Sequence, residues 1–277
     1  MRGKFFAAIT LAATLLMTGC GGGDTPAKTE DKPAAKSEAT LKIGATPVPH
    51  AEILEEIKPD LEKDGIKLEI VEFNDYVQPN IALNDKELDA NFFQHEPYLN
   101  DFIKEHKDVK LANAGGVHIE PMGIYSKKIK DLKELADGAT VSIPNDPTNG
   151  GRALLLLQKA GLLKLKDGVK ETATVQDIAE NPKNLNIQEV EAAQLPRTLE
   201  DVDISIINTN FAMNADLNPM KDALFIEDKD SPYVNIIAVR EGDENRDDIK
   251  KLLTAIKSDK VKQFILDKYK GAIVPAF

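Results

Sequence analysis

"LKIGATPVPHAEILEEIKPDLEKDGIKLEIVEF", residues 41–73, changes its hydrophobic period twice, and that change decides the fold. The segment "LKIGAT" (41–46) reads as a strand. "HAEILEEIKPDLEKDG" (50–65) places apolar residues at helical spacing and stops at Gly65, while "IKLEIVEF" (66–73) alternates as a half-buried strand does. Strand, helix and strand within roughly thirty residues is the unit that builds a parallel sheet.

The alternation continues downstream. A short helix is expected near 79–83, a strand near 88–93 and a helix over about 96–106. "VKLANAGGVHIEPMGIYSKKI" (109–129) reads as strand, glycine break and strand, a suitable crossing between two lobes. A second run follows: "DLKELADG" as helix, "ATVSIP" as strand, a leucine-rich helix after Arg152, "NIQEVEA" as strand, a short helix near 199–202, and "DISIINT" (203–209) as strand. "SPYVNIIAVR" (231–240) is a further strand able to serve as a second crossing, and helices near 246–256 and 258–268 would pack back on the first lobe. The pattern predicts an α/β protein of two lobes, residues 41–118 with 236–277 forming one and 119–235 the other. Its sheets should be largely parallel, with ligands at the carboxyl ends of the strands. No internal repeat interrupts this reading.

The amino-terminal segment has a different character. Residues 1–19, "MRGKFFAAITLAATLLMTG", join a basic start (Arg2, Lys4) to an apolar run, as a secretory signal peptide does. Cys20, the single cysteine, follows at once, and its setting resembles the lipobox of bacterial lipoproteins, with Met17 where leucine is usual. That resemblance implies lipidation of Cys20 and attachment to a bacterial membrane on its extracytoplasmic side. Residues 20–40 are rich in Gly, Pro, Lys, Glu and Ala without large apolar side chains, the composition of a disordered tether. Removing residues 1–19 leaves 33 basic against 46 acidic residues, a net charge of −13. So acidic a surface argues against nucleic acid as a partner and against an electrostatic grip on anionic lipid.

Candidate site residues cluster where strands end. "NDPTNGGRALLLLQ" (145–158) places capping residues before a strong helix, which is expected to begin near Asn149. Arg152 in its first turn would cost roughly 0.3–1 kcal/mol unless an anion offsets it. Gly150 and Gly151 would let such an anion approach the backbone. A solvated surface arginine is the competing reading. Asn210 ends the apolar strand "DISIINTN" and Asn235 sits inside "SPYVNIIAVR"; each is either a ligand contact or an amide satisfied by the fold. Phe92, Phe93 and His95 cluster in "DANFFQHEPYLNDF", and Tyr76 follows the preceding strand. One of Phe92 and Phe93 belongs in the core, whereas Tyr76 and His95 lie at strand-to-helix junctions where flat rings can hold an apolar or sulfur-bearing chain. Together these groups describe a receptor for an α-amino acid with an unbranched apolar side chain.

"NDYVQPN", "DANFFQHEPYL", "VSIPNDPTNGGRALLLLQKAGLLKLKDG", "ENPKNLNIQEVEAAQLPRTL" and "SPYVNIIAVR" resemble the NlpA-type lipoproteins, the methionine receptors of bacterial ABC importers. The likeness runs from Leu41 to Phe277. It implies the type II periplasmic-binding fold, with two crossings between lobes, and delivery of methionine, L or D, to a membrane permease driven by an ATPase. It also implies roles. Arg152, with Asn149 beside it, would pair with the ligand carboxylate; Tyr76 and His95 would flank the thioether chain, with Phe92 or Phe93 lining the slot. Asn210 and Asn235 would bind the backbone groups, and Glu120 would contact the ammonium. A bulkier residue replaces one glycine of "TNGGR" in some members, which leaves another amino acid or a short methionine-containing peptide as an alternative ligand.

No cofactor is expected. The four histidines, His50, His95, His106 and His118, form no close HxH or HxxxH pair, and no cysteine accompanies them in the folded region, so a metal-binding receptor is the weaker alternative. An enzyme is not expected either: there is no G-x-S-x-G, H-E-x-x-H or phosphate loop.

Overall fold

The computed structural model describes residues 39–277, which form one compact unit. The expected signal peptide, Cys20 and the tether up to residue 38 lie outside the described residues. β1 (Ala39–Ala45) takes in Ala39 and Thr40, which composition alone had placed in the tether. Leu41, Ile43 and Ala45 of β1 are fully buried, as are Ile53, Leu54, Ile57 and Leu61 along one face of α1 (Glu52–Lys63). Gly65, at φ +77°, ends α1 in the left-handed conformation open to glycine. β2 (Ile66–Glu72) then pairs parallel with all of β1, from Ala39 against Ile66 to Ala45 against Glu72.

The chain continues through α2 (Gln78–Asn84), β3 (Ala90–His95), α3 (Glu96–Glu105) and β4 (Leu111–Ile119), then leaves this sheet. The next elements are β5 (Gly123–Tyr125), β6 (Thr140–Pro144), α4 (Pro147–Lys159), β7 (Lys164–Leu165) and β8 (Ile178–Glu180), which pair only with each other, then β9 (Asn186–Val190), α5 (Leu195–Thr198), β10 (Ile204–Ile207), α6 (Thr209–Asn214), α7 (Pro219–Asp222) and β11 (Phe225–Ile226); β5, β6, β9, β10 and β11 form a second sheet. The return brings β12 (Val234–Arg240), α8 (Asp247–Ile256), α9 (Asp259–Tyr269) and β13 (Val274–Pro275) back to the first sheet. The strand orders are β13-β4-β12-β3-β1-β2 and β11-β5-β10-β6-β9. The chain passes between the sheets at 120–122 and again at 227–233.

Both sheets are mixed rather than largely parallel. β1, β2 and β3 run parallel, and so do β6, β9 and β10, but β12 is antiparallel to β3 and β4, and β5 to β10 and β11. The physical reason is the route. A strand joined to its neighbour by a helix returns parallel, whereas β5 and β12 arrive directly from the other sheet and run the opposite way. Each sheet carries helices on both faces. α1, α8 and α9 cover one face of the first, burying Ile57, Leu252 and Ile265 against Ile43 and Val239; Leu83, Leu99 and Phe102 from α2 and α3 pack on the other. α4 covers the second sheet with Leu154 and Leu157 against Val141 and Ile204, opposite a cluster around Leu195, Ile207 and Phe211. The fold is the two-lobed α/β arrangement.

Other local expectations shift for identifiable reasons. The glycines of β4 do not break it. The strand runs through Gly115 and Gly116 with register shifts opposite β12, and a Cβ on Gly116 would stand 2.7 Å from Val234 Cγ1, so the small residue admits the neighbouring strand. "DLKELADG" makes only a 3₁₀ turn, Leu132–Glu134, capped by Asp131. The helix expected at 199–202 forms earlier, at Leu195–Thr198, where Pro196 occupies a first-turn position. No helix among the described residues is long and apolar enough to cross a membrane.

Candidate functional site

The parallel strands of both sheets point their carboxyl ends at one cleft. His95 closes β3, Asn145 to Asn149 follow β6, and Asn208 to Asn210 follow β10; the crossings add Glu120, and β12 adds Asn235 near its start. The cleft holds about 320 Å³ of space, part of it open to solvent. Tyr76, Phe93, His95, Glu120, Asn149, Arg152, Asn210 and Asn235, all expected from sequence, line it. Phe92 does not. It lies fully buried among the core residues of the first sheet, as strand alternation requires of one of two adjacent phenylalanines.

One wall is aromatic. The Tyr76 ring lies with its centroid 4.8 Å from that of Phe211, 5.7 Å from Tyr98 and 5.8 Å from Phe93. Tyr98 belongs to the ring cluster of "DANFFQHEPYLNDF" but was not among the expected site residues, and Phe211, from a distant segment, had no sequence signal. His95 caps α3: its Nδ1 accepts from the Tyr98 backbone N–H at 3.1 Å, which puts the ring proton on Nε2, 3.0 Å from Asn149 Oδ1. Burial, reinforced by the charge of Arg152, lowers the His95 pKa to about 3, so the ring is neutral.

The opposite wall starts from α4. Asp146 caps this helix by accepting from Asn149 N at 2.9 Å, and Pro147 opens it. The helix therefore begins earlier than expected, and Arg152 stands in its second turn. The anion that Arg152 calls for belongs to the protein: its Nε donates to both oxygens of Glu227 at 3.1 and 3.2 Å, and Nη2 donates to Glu227 and to the Glu120 carbonyl at 2.7 Å. Tyr233 stacks beneath the guanidinium, 4.2 Å from ring centroid to Cζ. Nη1 makes no hydrogen bond among the described residues, although Arg152 is 97% buried and lines the cleft (3% exposed). A carboxylate from a ligand fits there. Gly150 and Gly151 do not serve that approach. Their absent Cβ atoms would stand 2.9 Å from the Pro144 carbonyl oxygen and 2.2 Å from the Glu171 carbonyl oxygen, so both glycines admit the protein's own backbone.

Amides fill the floor. Asn149 is fully engaged, its Nδ2 with Asp146 and its Oδ1 with His95 and Asn208, so it braces the site. Asn210 Oδ1 accepts from the Tyr76 hydroxyl at 2.5 Å, and Asn235 Oδ1 accepts from His50 Nε2 at 3.0 Å, leaving the Nδ2 group of each for a ligand. Asn208 was passed over in sequence although it stands in the same "NTN" string. It donates to Asn149 at 2.8 Å while its Oδ1 is buried without a partner, an acceptor waiting for an N–H.

Folding also joins three groups that sequence spacing kept apart. His50, His118 and Glu120 are all buried, with ligand-capable atoms within 4.8 Å of one another, and among the described residues they form the cluster able to hold a metal ion. Their contacts are those of hydrogen bonds: His118 Nε2 lies 2.7 Å and His50 Nε2 3.2 Å from the same Glu120 oxygen. Donors on a zinc tetrahedron with bonds of 2.0–2.1 Å would stand about 3.3 Å apart. Burial raises the Glu120 pKa, opposed by His50 and Arg152. The cleft thus offers a guanidinium, a carboxyl group and an unpartnered amide oxygen, with an aromatic slot beside them, which is a complement to a zwitterionic amino acid.

The sequence profile of the NlpA lipoprotein family matches residues 41–277. The chain belongs to this family. The D-methionine-binding lipoprotein MetQ of Salmonella typhi is 46% identical over 275 residues, covering 98% of this chain and 97% of its own. The methionine-binding lipoprotein MetQ of Bacillus subtilis is 43% identical over 279 residues, covering 99% of each. Among solved structures, a nutrient-binding protein from Burkholderia cenocepacia bound to methionine superposes with a TM-score of 0.82 at 49% identity, covering 86% of this chain and all of that one. These NlpA-family relatives are substrate-binding receptors. The two-lobed receptor fold of the family is the one described here.

Proposed function

We propose that this protein is an extracytoplasmic receptor that binds methionine between its two lobes and hands it to an ABC importer made of a permease and an ATPase. The observation that carries this reading is that two side chains lining one cleft keep a polar atom unused: Arg152 Nη1 suits the carboxylate, and Asn208 Oδ1 suits the ammonium. The slot of Tyr76, Phe93, Tyr98 and Phe211 suits an unbranched thioether chain, which gains from contact with ring edges. His95 and Asn149 position the walls, Asn210 and Asn235 offer amide hydrogens, and Glu120 faces the ammonium. The first sheet and its helices act as one lobe and the second sheet with its helices as the other, hinged at 120–122 and 227–233; the bounds expected from sequence, 118/119 and 235/236, cut into β4 and β12, which run to Ile119 and from Val234. The protein does no chemistry on its ligand, and lipid on Cys20 holds it at the membrane.

Calorimetric titration of the chain from Gly21 onward, refolded to strip carried-over ligand and retaining the whole unit of residues 39–277, tests this. One-to-one binding of L-methionine, of the D form, or of both is the expected result. No heat with either form, or chemical turnover of methionine, would overturn the reading.

A further inference from the structure

His50 and His118 stand outside the cleft wall, yet both reach a residue that is part of it. His118, in β4, and Glu120, just beyond that strand, are two residues apart and so lie on the same side of the chain. His50 comes from the turn after β1. The hydrogen-bond pattern fixes both rings. His118 Nδ1 is buried without a partner, so its proton belongs on Nε2, where the Glu120 oxygen accepts it at 2.7 Å. His50 Nδ1 lies 2.6 Å from the Thr46 hydroxyl, which donates to it; the Nε2 hydrogen of His50 is then shared between Asn235 Oδ1 and Glu120. Phe92 holds both rings edge-on, with centroids 4.6 and 5.3 Å away, which gives this core phenylalanine a part in the site after all.

We propose that His50 and His118 are positioning residues that direct the Glu120 carboxylate at the ligand's ammonium and thereby select α-amino acids over their deaminated analogues. The inference rests on the methionine reading above. Its logic is electrostatic. Neutral imidazoles donate two N–H groups to the buried carboxylate without adding a charge, so the carboxylate's negative charge stays available to the ligand. Charged imidazoliums in the same places would cancel it. Burial lowers the His50 pKa to about 4 and the His118 pKa to about 3, in keeping with that arrangement.

The test compares methionine with 4-(methylthio)butanoate, which lacks only the α-amine, by calorimetry on the parent, His118→Phe and His118→Gln. The parent is expected to prefer methionine. His118→Phe should weaken methionine binding by roughly tenfold to a hundredfold, the loss expected for a hydrogen bond to a charged group, while affinity for the analogue holds within about threefold. His118→Gln, which can restore an N–H near the Nε2 position, should recover much of the loss. If the two ligands weaken together, or methionine binding is unmoved, the proposal fails while the methionine reading stands. A parent that binds neither ligand overturns both. Should His118→Phe not fold, as judged by circular dichroism, His50→Leu puts the same question with the same outcomes. Dialysis against EDTA should leave the parent's affinity unchanged; a loss restored by zinc would assign the cluster to a metal and overturn the hydrogen-bond account.

Discussion

Replacing Arg152 with methionine keeps most of the side chain's length and removes its charge. In the folded protein the Arg152 side chain is 4% exposed and that of Glu227 16%, so the substitution strands a carboxylate that reaches little water. It also deprives the Glu120 carbonyl of its donor and the Tyr233 ring of its cation. Breaking a fully buried pair from one side costs about 3–5 kcal/mol, and the partial exposure of Glu227 brings the expected loss to roughly 2–4 kcal/mol. For a domain of this size that lowers Tm by about 5–15 °C. Adding Glu227→Gln removes the stranded charge, so the double variant should be about 1–2 kcal/mol more stable than Arg152→Met alone, even though Glu227→Gln on its own destabilises the parent. Methionine affinity should fall about tenfold to a hundredfold in both variants that lack Arg152. Thermal melts of the four proteins and calorimetry with methionine measure both quantities. If Glu227→Gln costs as much with Arg152 absent as with it present, the two side chains do not hold one another, and the account of how the guanidinium is aimed is wrong.

Three further outcomes follow from the geometry. His50, His95 and His118 have folded pKa values of about 4, 3 and 3 against 6.5 when free, so the unfolded chain takes up protons that the folded one refuses as pH falls below 6.5. Each costs about 1.4 kcal/mol of stability per pH unit down to about pH 4, offset in part by Glu120 and Asp146, whose carboxyls burial raises; urea midpoints should fall steeply in that window, and less steeply in His118→Phe. Because an ammonium favours the ionised form of Glu120 and burial favours the neutral one, methionine affinity should rise with pH through the Glu120 titration. Calorimetry in buffers of different ionisation enthalpy should detect proton release, and its persistence in Glu120→Gln would assign the proton elsewhere. Gly151→Ala should destabilise by about 1–3 kcal/mol, since its Cβ would meet fixed backbone at 2.2 Å, whereas Gly150→Ala, facing one carbonyl at 2.9 Å, should cost less; equal melting temperatures would refute the packing account.

The fold was legible where one element's own pattern decides its partner. The buried stripe of α1 and the alternation of β1 and β2 imply their packing and parallel pairing without reference to anything distant. Strand direction was less legible. β5 and β12 read as good strands, but whether a strand runs with or against its neighbours depends on the route by which the chain reaches the sheet. That route crosses between the sheets at 120–122 and 227–233, short segments with no periodicity of their own. Helix onset was legible only to within a few residues, because "NDPTN" offers several capping residues and the fold uses Asp146.

The site divides along a different line. Arg152, Asn210 and Asn235 stood out because each is a polar group that its own segment cannot satisfy, whereas Glu120 came only with the family resemblance. That local deficit marks a residue as needing a partner without saying whether the partner is a ligand or another part of the chain. On the function proposed above it is often both. Glu227 takes the Nε and Nη2 edge of the Arg152 guanidinium, His50 takes the oxygen of Asn235, and Tyr76 takes that of Asn210, each leaving donors of the same side chain for the cleft. The partners were invisible in sequence because they come from distant segments, 75 residues away for Glu227, 185 for His50 and 134 for Tyr76. Their effect is to fix the direction in which the unused donors point before any ligand arrives. A ligand then gains hydrogen bonds without ordering flexible side chains, and that saving in entropy is what distinguishes a built site from a loose collection of the same residues.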